Sequence, residues 1–167
     1  IYFYSTKIVD SGLGEFFVAV KGSMIVLGTF FIQSGQITIE SILAGIVVGS
    51  LSSLVLFIAS FPDHDADKSK GRKTLVIAVG KQKATKLFWI FPFVSYGVII
   101  LGVSLNLFPI IALITFLSIP LMIKSGFGLK KNFDSVEKLI PYMSSTLMSS
   151  RITGALFVLS FIIDITV

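Results

Sequence analysis

A short charged segment near the middle of the chain holds the side chains best suited to chemistry. The segment FPDHDADKSKGRKTL, residues 61–75, contains three acidic and four basic residues: Asp63, Asp65 and Asp67, and Lys68, Lys70, Arg72 and Lys73. We call residues 61–75 the Asp-rich segment. The chain around it is apolar, because 54% of the 167 residues are hydrophobic and only 14% are charged. Such a concentration of charge predicts either a solvated loop or a working site.

The spacing of the aspartates favours a cation site. In an α-helix, Asp63 and Asp67 lie four residues apart on one face, whereas Asp65 points roughly the opposite way. Two like charges on one face repel each other unless a cation lies between them. Mg²⁺ prefers oxygen ligands and commonly takes one or two carboxylates together with phosphate oxygens of a substrate. The pattern therefore suits Mg²⁺ as a cofactor.

A calcium-binding EF-hand is the alternative with the same opening spacing. In an EF-hand loop the sixth position is Gly and the twelfth is a bidentate Glu. Counted from Asp63, these positions hold Lys68 and Thr74. The sequence therefore excludes an EF-hand.

The basic residues that follow the aspartates suit a diphosphate. Gly71 lies among them and allows the backbone a sharp turn. A metal ion and neighbouring cations together neutralise the negative charge that develops on a departing diphosphate. In a membrane protein, the other part of such a substrate would be a lipid tail. The residues alone thus indicate a membrane enzyme acting on a lipid diphosphate, or else an ordinary charged loop.

The Asp-rich segment is positioned by apolar stretches long enough to cross a bilayer. A spanning helix needs about 20 mostly apolar residues, and a soluble domain carries about 25% charged residues. We predict an all-α, polytopic transmembrane bundle with five spans, at residues 15–32, 41–61, 87–104, 107–123 and 143–167. The chain has no cysteine, which excludes disulfides and thiolate metal sites.

The distribution of basic residues predicts how the spans are oriented. Loops 62–86 and 124–141 are rich in Lys and Arg, whereas loop 33–40 contains neither. By the positive-inside rule, loops 62–86 and 124–141 are cytoplasmic, and the Asp-rich segment lies on that side. The net charge of +5 therefore reports membrane orientation and does not indicate binding of nucleic acid.

Three further features of the spans carry expectations. Gly45 and Gly49 form a small-xxx-small pattern, which we interpret as close helix packing. Glu15 is interpreted as an acid favoured by the dipole at a helix start. Lys21 lies within the first span and is expected to line a cavity or to pair with a neighbour such as Glu15.

Residues 61–84, FPDHDADKSKGRKTLVIAVGKQKA, resemble the second aspartate-rich motif of the UbiA superfamily of intramembrane aromatic prenyltransferases. The family pattern is Asp-x-x-x-Asp, a basic run, Gly-(Lys/Arg)-(Lys/Arg)-Thr-Leu and a further Gly. This chain supplies it in order with Asp63, Asp67, Gly71-Arg72-Lys73-Thr74-Leu75 and Gly80. The Phe-Pro-Asp-x-(Asp/Glu)-Ala-Asp portion is most similar to 1,4-dihydroxy-2-naphthoate prenyltransferase-type members. The resemblance covers essentially the whole chain, as the last five of nine spans.

The resemblance implies a helical bundle around a cavity open to the lipid bilayer. There, Mg²⁺ would bridge a polyprenyl diphosphate to aspartates, and the prenyl group would alkylate an aromatic acceptor in quinone biosynthesis, such as that of menaquinone. It implies that the Mg²⁺ ligands are Asp63 and Asp67, with Asp65 as a third candidate turned away by helical geometry. The implied contacts of the diphosphate are basic: Arg72, Lys73, Lys68 and Lys7.

Two departures from the family pattern accompany the resemblance. Many members have Asn or Asp four residues before the first aspartate of this motif, where this chain has Ala59. The first aspartate-rich motif of the family has no counterpart in these residues. We therefore expect the chain to be a carboxy-terminal fragment that is inactive alone. A transporter or a non-catalytic membrane subunit derived from the same fold is the alternative.

Overall fold

The protein is a bundle of α-helices that confirms the predicted fold class. The structure, a computed structural model, describes residues 12–166, and no strand occurs among them. The helices are α1 Gly14–Ser34, α2 Ile39–Ala59, α3 His64–Ser69, α4 Leu75–Val79, α5 Lys81–Leu87, α6 Ile90–Ser104, a 3-10 helix Ile110–Ser118, α7 Ile119–Asn132 and α8 Val136–Thr166. Five helical stretches are long and apolar enough to span a membrane: Gly14–Ser34, Ile39–Ala59, Lys81–Ser104, Ile110–Asn132 and Val136–Ile165.

Helices α7 and α8 extend beyond the predicted spans 107–123 and 143–167, into the predicted loop 124–141. Helix α7 continues to Asn132 and α8 begins at Val136, so most of that loop is helical. Hydropathy falls at Lys124 and the lysines that follow, but a helix continues past the edge of its apolar stretch while its backbone bonds are satisfied. Pro141 lies inside α8 without ending it. Hydropathy therefore located the apolar part of each helix and not its ends.

Local signals in the sequence form the tight connection between α1 and α2. Gly35 adopts a left-handed φ of 72° after α1, and its N–H donates to the Phe31 carbonyl at 2.8 Å. Glycine tolerates this backbone conformation at no steric cost. Thr38 and Ser41 then form a capping box at the start of α2. The Ser41 N–H donates to Thr38 Oγ1 at 3.3 Å, and the Thr38 N–H donates to Ser41 Oγ at 3.1 Å. The chain thus reverses within a few residues and packs α2 against α1.

Helix α2 is the central element of the bundle. It packs against α1, α6 and α8. Of the 18-residue apolar stretch of α2, 50% is buried inside the protein, compared with 11% for α1. Val47, Leu54 and Phe57 on this helix are fully buried. Because its neighbours hold α2 in place on several sides, the position of the residues that follow Ala59 is also well defined.

Small residues allow α1 and α2 to approach closely, as the Gly45–Gly49 spacing predicts. Ser23 Oγ donates to the Gly45 carbonyl across the interface at 2.9 Å. A Cβ added at Gly22 would lie 2.9 Å from Gly49 Cα, which is closer than real Cβ atoms come. Contact between helices in a membrane depends on such packing and on interhelical hydrogen bonds. Glycine at this interface is therefore a packing requirement.

Candidate functional site

The Asp-rich segment begins at the end of α2 and includes α3. Asp63 is the N-cap residue of α3, and its carbonyl accepts the Asp67 N–H at 2.8 Å. The two carboxylates are thereby one helical turn apart, and both line the same cavity. The helical spacing inferred from the sequence is present.

We call this cavity, of about 210 Å³, the polar cavity. The Asp-rich segment contributes Asp63, Asp67, Arg72 and Thr74 to its wall. The ends of two spanning helices supply the other side: Leu56, Ala59 and Ser60 from α2 and the following turn, and Gly14 and Glu15 from α1. The site is therefore assembled from segments about 50 residues apart in the sequence.

Arg72 is held at the polar cavity by a turn and by Asp67. Gly71 adopts a left-handed φ of 75°, which reverses the chain so that the Arg72 N–H donates to the Asp67 carbonyl at 3.0 Å. The guanidinium Nη1 donates to Asp67 Oδ1 at 3.1 Å. This pair offsets part of the repulsion between Asp67 and Asp63. Among residues 12–166, no side chain bonds to the Asp63 carboxylate, so its oxygens are available to a cation.

Thr74 closes the loop that carries Arg72. Its Oγ1 accepts the Ile77 N–H at 3.3 Å and caps α4. An N-cap of this kind stabilises a helix start by about 1 kcal/mol. The loop between α3 and α4 is thus fixed at both ends, which keeps Arg72 against the cavity.

Asp65 lies away from the polar cavity, on the opposite side of α3. Its side chain is 83% exposed, with Oδ1 2.7 Å from His64 Nδ1 and Oδ2 3.6 Å from Lys81 Nζ. The hydrogen bond to His64, followed by the charge of Lys81, lowers the pKa of the Asp65 carboxyl. Asp65 is therefore ionised at neutral pH and engaged with bases outside the cavity, and the structure does not bring it together with Asp63 and Asp67.

The predicted diphosphate contacts are also separated. Lys68 borders a different cavity, of about 490 Å³, together with His64, Lys81 and Lys83. Lys73 is exposed and does not line the polar cavity. Lys7 lies outside the described residues. Of the predicted basic contacts that the structure describes, Arg72 alone lines the wall with the two aspartates.

The donor set in the polar cavity fits Mg²⁺ bound jointly with a substrate. Between residues 12 and 166, no group of three or more His, Cys, Asp or Glu side chains is arranged to hold a metal ion by itself. The cavity wall holds Asp63 and Asp67 one helical turn apart, Glu15 as a third acidic residue on the other side, and Ala59, which offers no ligand. Mg²⁺ commonly binds through one or two carboxylates plus phosphate oxygens. The residues present match that mode of binding.

A second, larger cavity adjoins the polar one. It has a volume of about 680 Å³ and a lining that is mostly apolar, from α1, α2 and α6, including Phe16, Ala19, Ile46, Phe91 and Val94. We call it the apolar cavity. Its volume is in the range of small-molecule sites. Glu15 lines this cavity as well as the polar one, so the two cavities are neighbours.

Glu15 is the residue that the sequence interpretation missed. It is only 4% exposed, and neither carboxyl oxygen has a hydrogen-bond partner within residues 12–166. Lys21, the proposed partner, is exposed and lines neither cavity. The available signal was an acid at the edge of an apolar span, which sequence alone cannot distinguish from a helix-start acid.

Comparisons with known proteins agree with this architecture. The UbiA prenyltransferase family matches residues 1–162. A 1,4-dihydroxy-2-naphthoate octaprenyltransferase of Bacillus subtilis (strain 168) is 31% identical over 157 residues, which cover 90% of this chain and 49% of that protein. A protein with the same description from Escherichia coli (strain K12) is 27% identical over 157 residues, covering 92% of this chain and 50% of the relative.

The chain spans about half the length of these curated relatives. No solved structure matches it significantly. The match to the family covers nearly all of the chain, and five helices are long and apolar enough to cross a bilayer. The chain therefore belongs to the UbiA prenyltransferase family and is an integral membrane protein.

Proposed function

We propose that the full-length protein transfers a polyprenyl group from its diphosphate to an aromatic acceptor, in a pathway that makes a quinone such as menaquinone. The observation that carries this proposal is the adjacency of the two cavities. Asp63, Asp67 and Arg72 line a small polar cavity, and Glu15 lines both this cavity and a larger apolar one. A prenyl diphosphate has the same division into a charged head and an apolar tail. The description of both relatives as 1,4-dihydroxy-2-naphthoate octaprenyltransferases supports this reaction.

In this proposal the residues of the polar cavity divide the work of binding the diphosphate. Asp63 and Asp67 would hold Mg²⁺, which supplies positive charge to the leaving group when bound. The ion pair with Asp67 keeps Arg72 beside the same position, where its guanidinium contacts phosphate oxygens. Lys68 and Lys73 remain candidates for longer-range attraction of the anionic head. The Asp-rich segment would face the cytoplasm, as the basic loops 62–86 and 124–141 favour.

The reaction breaks the bond between the first prenyl carbon and the diphosphate oxygen, and the electron pair leaves with the diphosphate. A ring carbon of the acceptor forms the new bond to the prenyl carbon and then loses the group that it carried, a proton or, at a carboxylated carbon, CO2, which restores the aromatic ring. The apolar side chains around the tail would exclude water, which would otherwise capture the electron-poor prenyl carbon. Electrostatic stabilisation of the leaving diphosphate is the main contribution expected from the protein.

The proposal is tested with the full-length protein reconstituted in lipid vesicles. Octaprenyl diphosphate and 1,4-dihydroxy-2-naphthoate are supplied, and prenylated product is measured with Mg²⁺ and with EDTA. We expect product to form with Mg²⁺ and to be lost on chelation. Absence of product from folded protein with Mg²⁺, across several hydroxylated aromatic acceptors, would contradict the proposal.

Ala59 is the observation that favours the second candidate, a non-catalytic relative of the same fold. It lies on the wall of the polar cavity, four residues before Asp63, and offers no oxygen ligand. In the catalytic case, we expect Ala59→Asn to raise the apparent affinity for Mg²⁺ by about 3- to 10-fold, because an amide oxygen joins the carboxylates. A titration of transfer rate against Mg²⁺ measures this.

The control for Ala59→Asn is Ala66→Asn, on the exposed surface of α3. It is expected to leave the Mg²⁺ dependence unchanged. If the natural protein forms no product but Ala59→Asn does, the non-catalytic candidate is correct. If both Asn variants shift the Mg²⁺ dependence equally, the wall position of Ala59 has no specific role.

A further inference from the structure

The carboxyl group of Glu15 is buried beside the two cavities, and no side chain among the described residues donates to it; the backbone N–H groups of Glu15 and Leu75 lie near it but form no well-aligned hydrogen bond. The residue is 4% exposed, and both carboxyl oxygens are unbonded within residues 12–166. Its backbone is fixed, since its carbonyl accepts the Ser53 Oγ hydrogen bond at 2.6 Å. A buried polar group without a partner is destabilising, because it has lost its hydrogen bonds to water. Such a group in a native structure calls for a partner that arrives from elsewhere.

Among residues 12–166, no basic side chain supplies that partner. Arg72 pairs with Asp67, and Lys21 is exposed on α1. Each half of the proposed donor substrate is also unsuitable. The diphosphate is an anion that a carboxylate repels, and the prenyl tail has no polar hydrogen. The group that fits is an O–H donor on a ligand that is otherwise apolar.

We propose that the carboxyl of Glu15 accepts a hydrogen bond from a ring hydroxyl of the aromatic acceptor. This inference rests on the proposed function and deepens it by assigning the residue that recognises the acceptor. Glu15 lines both cavities, and its side chain would turn toward a ligand held beside it. A ring held there lies between the polar cavity, which takes the leaving group, and the apolar cavity, which takes the tail.

The bond to Glu15 also has a chemical effect on the ring. A hydroxyl that donates to a carboxylate places more electron density on the ring, and the ring carbon then attacks more readily. Recognition through a buried hydrogen bond discriminates strongly against an analogue that lacks the hydroxyl, because the buried carboxyl is then left unpaired. Glu15 therefore acts on both acceptor binding and acceptor choice.

The test compares Glu15→Ala and Glu15→Gln with the natural full-length protein in vesicles, using 1,4-dihydroxy-2-naphthoate as acceptor. We expect Glu15→Ala to raise the acceptor KM by about 10- to 100-fold, the range for a hydrogen bond to a charged group. The KM for octaprenyl diphosphate should stay within about 2-fold, because Glu15 does not bind the diphosphate. Glu15→Gln keeps a carbonyl oxygen, so it should recover part of the acceptor affinity.

Two monohydroxy naphthoates, each lacking one of the two ring hydroxyls, measure the preference of the site for each hydroxyl. A purely structural role of Glu15 would not change this preference. Both compounds are tested as competitive inhibitors of the natural protein. The inhibition constant of one of them should be at least about 10-fold higher than that of an inhibitor of the same shape that carries both hydroxyls. In Glu15→Ala this preference should disappear. Glu40→Gln is the matched control: Glu40 is also an acid in the first turn of a spanning helix, but it lines neither cavity.

The outcomes separate this inference from the proposed function. Transfer by the natural protein, with an unchanged acceptor KM in Glu15→Ala, overturns the role of Glu15 and leaves the function standing. Equal increases in both KM values, or a hydroxyl preference retained in Glu15→Ala, also overturn it. No transfer by the folded natural protein overturns the proposed function. If the Ala variant does not accumulate, an unchanged acceptor KM and hydroxyl preference in Glu15→Gln overturn the inference.

Discussion

Asp63→Asn and Asp67→Asn are each expected to lower prenyl transfer by the full-length protein by about 10²–10³-fold, the loss seen when one electrostatic group is removed from an active site. Asn preserves the volume of the side chain and removes its charge. Both carboxylates line the polar cavity one turn apart on α3, so either change leaves a proposed Mg²⁺ site with one anionic ligand. Raising the Mg²⁺ concentration should restore part of the rate. Initial rates across a Mg²⁺ titration measure both effects.

Asp65→Asn is the matched control for this experiment. Asp65 lies on the same short helix, but its side chain is 83% exposed and contacts His64 and Lys81. We expect its transfer rate to stay within about 2-fold of the natural protein, as for a surface substitution. Equal losses in all three variants would indicate damage to α3 and not loss of a metal ligand. Full activity in both Asp63→Asn and Asp67→Asn would place the metal site elsewhere.

Gly49→Val is expected to prevent the natural packing of α1 on α2 and to lower the amount of folded protein severely. A Cβ at Gly49 would overlap the Ala19 carbonyl and contact Ser23 Oγ, so backbone has to move. Overpacking of a close interface destabilises a protein by about 1–3 kcal/mol and occasionally more. We expect the upper end of this range for Gly49→Val, because the closest obstructing atom belongs to the backbone and not to a flexible side chain. The midpoint of thermal unfolding in detergent, together with the folded yield, measures the effect.

The same change should also open the site. Helix α1 carries Glu15, whose carbonyl is bonded to Ser53 on α2, and both cavities include residues of these two helices. A shift of α1 away from α2 therefore separates Glu15 from the Asp-rich segment. Gly28→Val is the control, because a Cβ at Gly28 meets no atom within 4 Å. Equal destabilisation by both variants would refute close approach at Gly49 as the cause.

Local spacing was sufficient to predict several parts of the site. The four-residue interval between Asp63 and Asp67 predicted a shared helical face, and both side chains line one cavity. The same interval rule predicted that Asp65 points away, and its carboxylate contacts His64 and Lys81 outside the cavity. Gly71 has the positive φ expected of a sharp turn. These relations extend over a few residues, where backbone geometry determines which side chains share a face.

The ends of the helices and the basic contacts were harder to predict. Lys68 and Arg72 are both basic neighbours of the aspartates, yet they border different cavities. Their separation depends on the turn at Gly71 and on the ion pair between Arg72 and Asp67. Composition does not encode that choice, because either residue could neutralise the same charge.

By itself, the sequence determined that this is a helical membrane protein and that residues 61–75 carry the charged groups of a candidate site. Hydropathy over about 20 residues and the spacing within one helix contain that information. The tertiary structure alone decided that Glu15 lines one cavity together with Asp63, Asp67 and Arg72 and also borders a second, apolar cavity. Glu15 and Asp63 are brought together by glycines at the α1–α2 interface and by the Ser53 hydrogen bond. Those contacts join residues far apart in the chain, so no local pattern around Glu15 could reveal them.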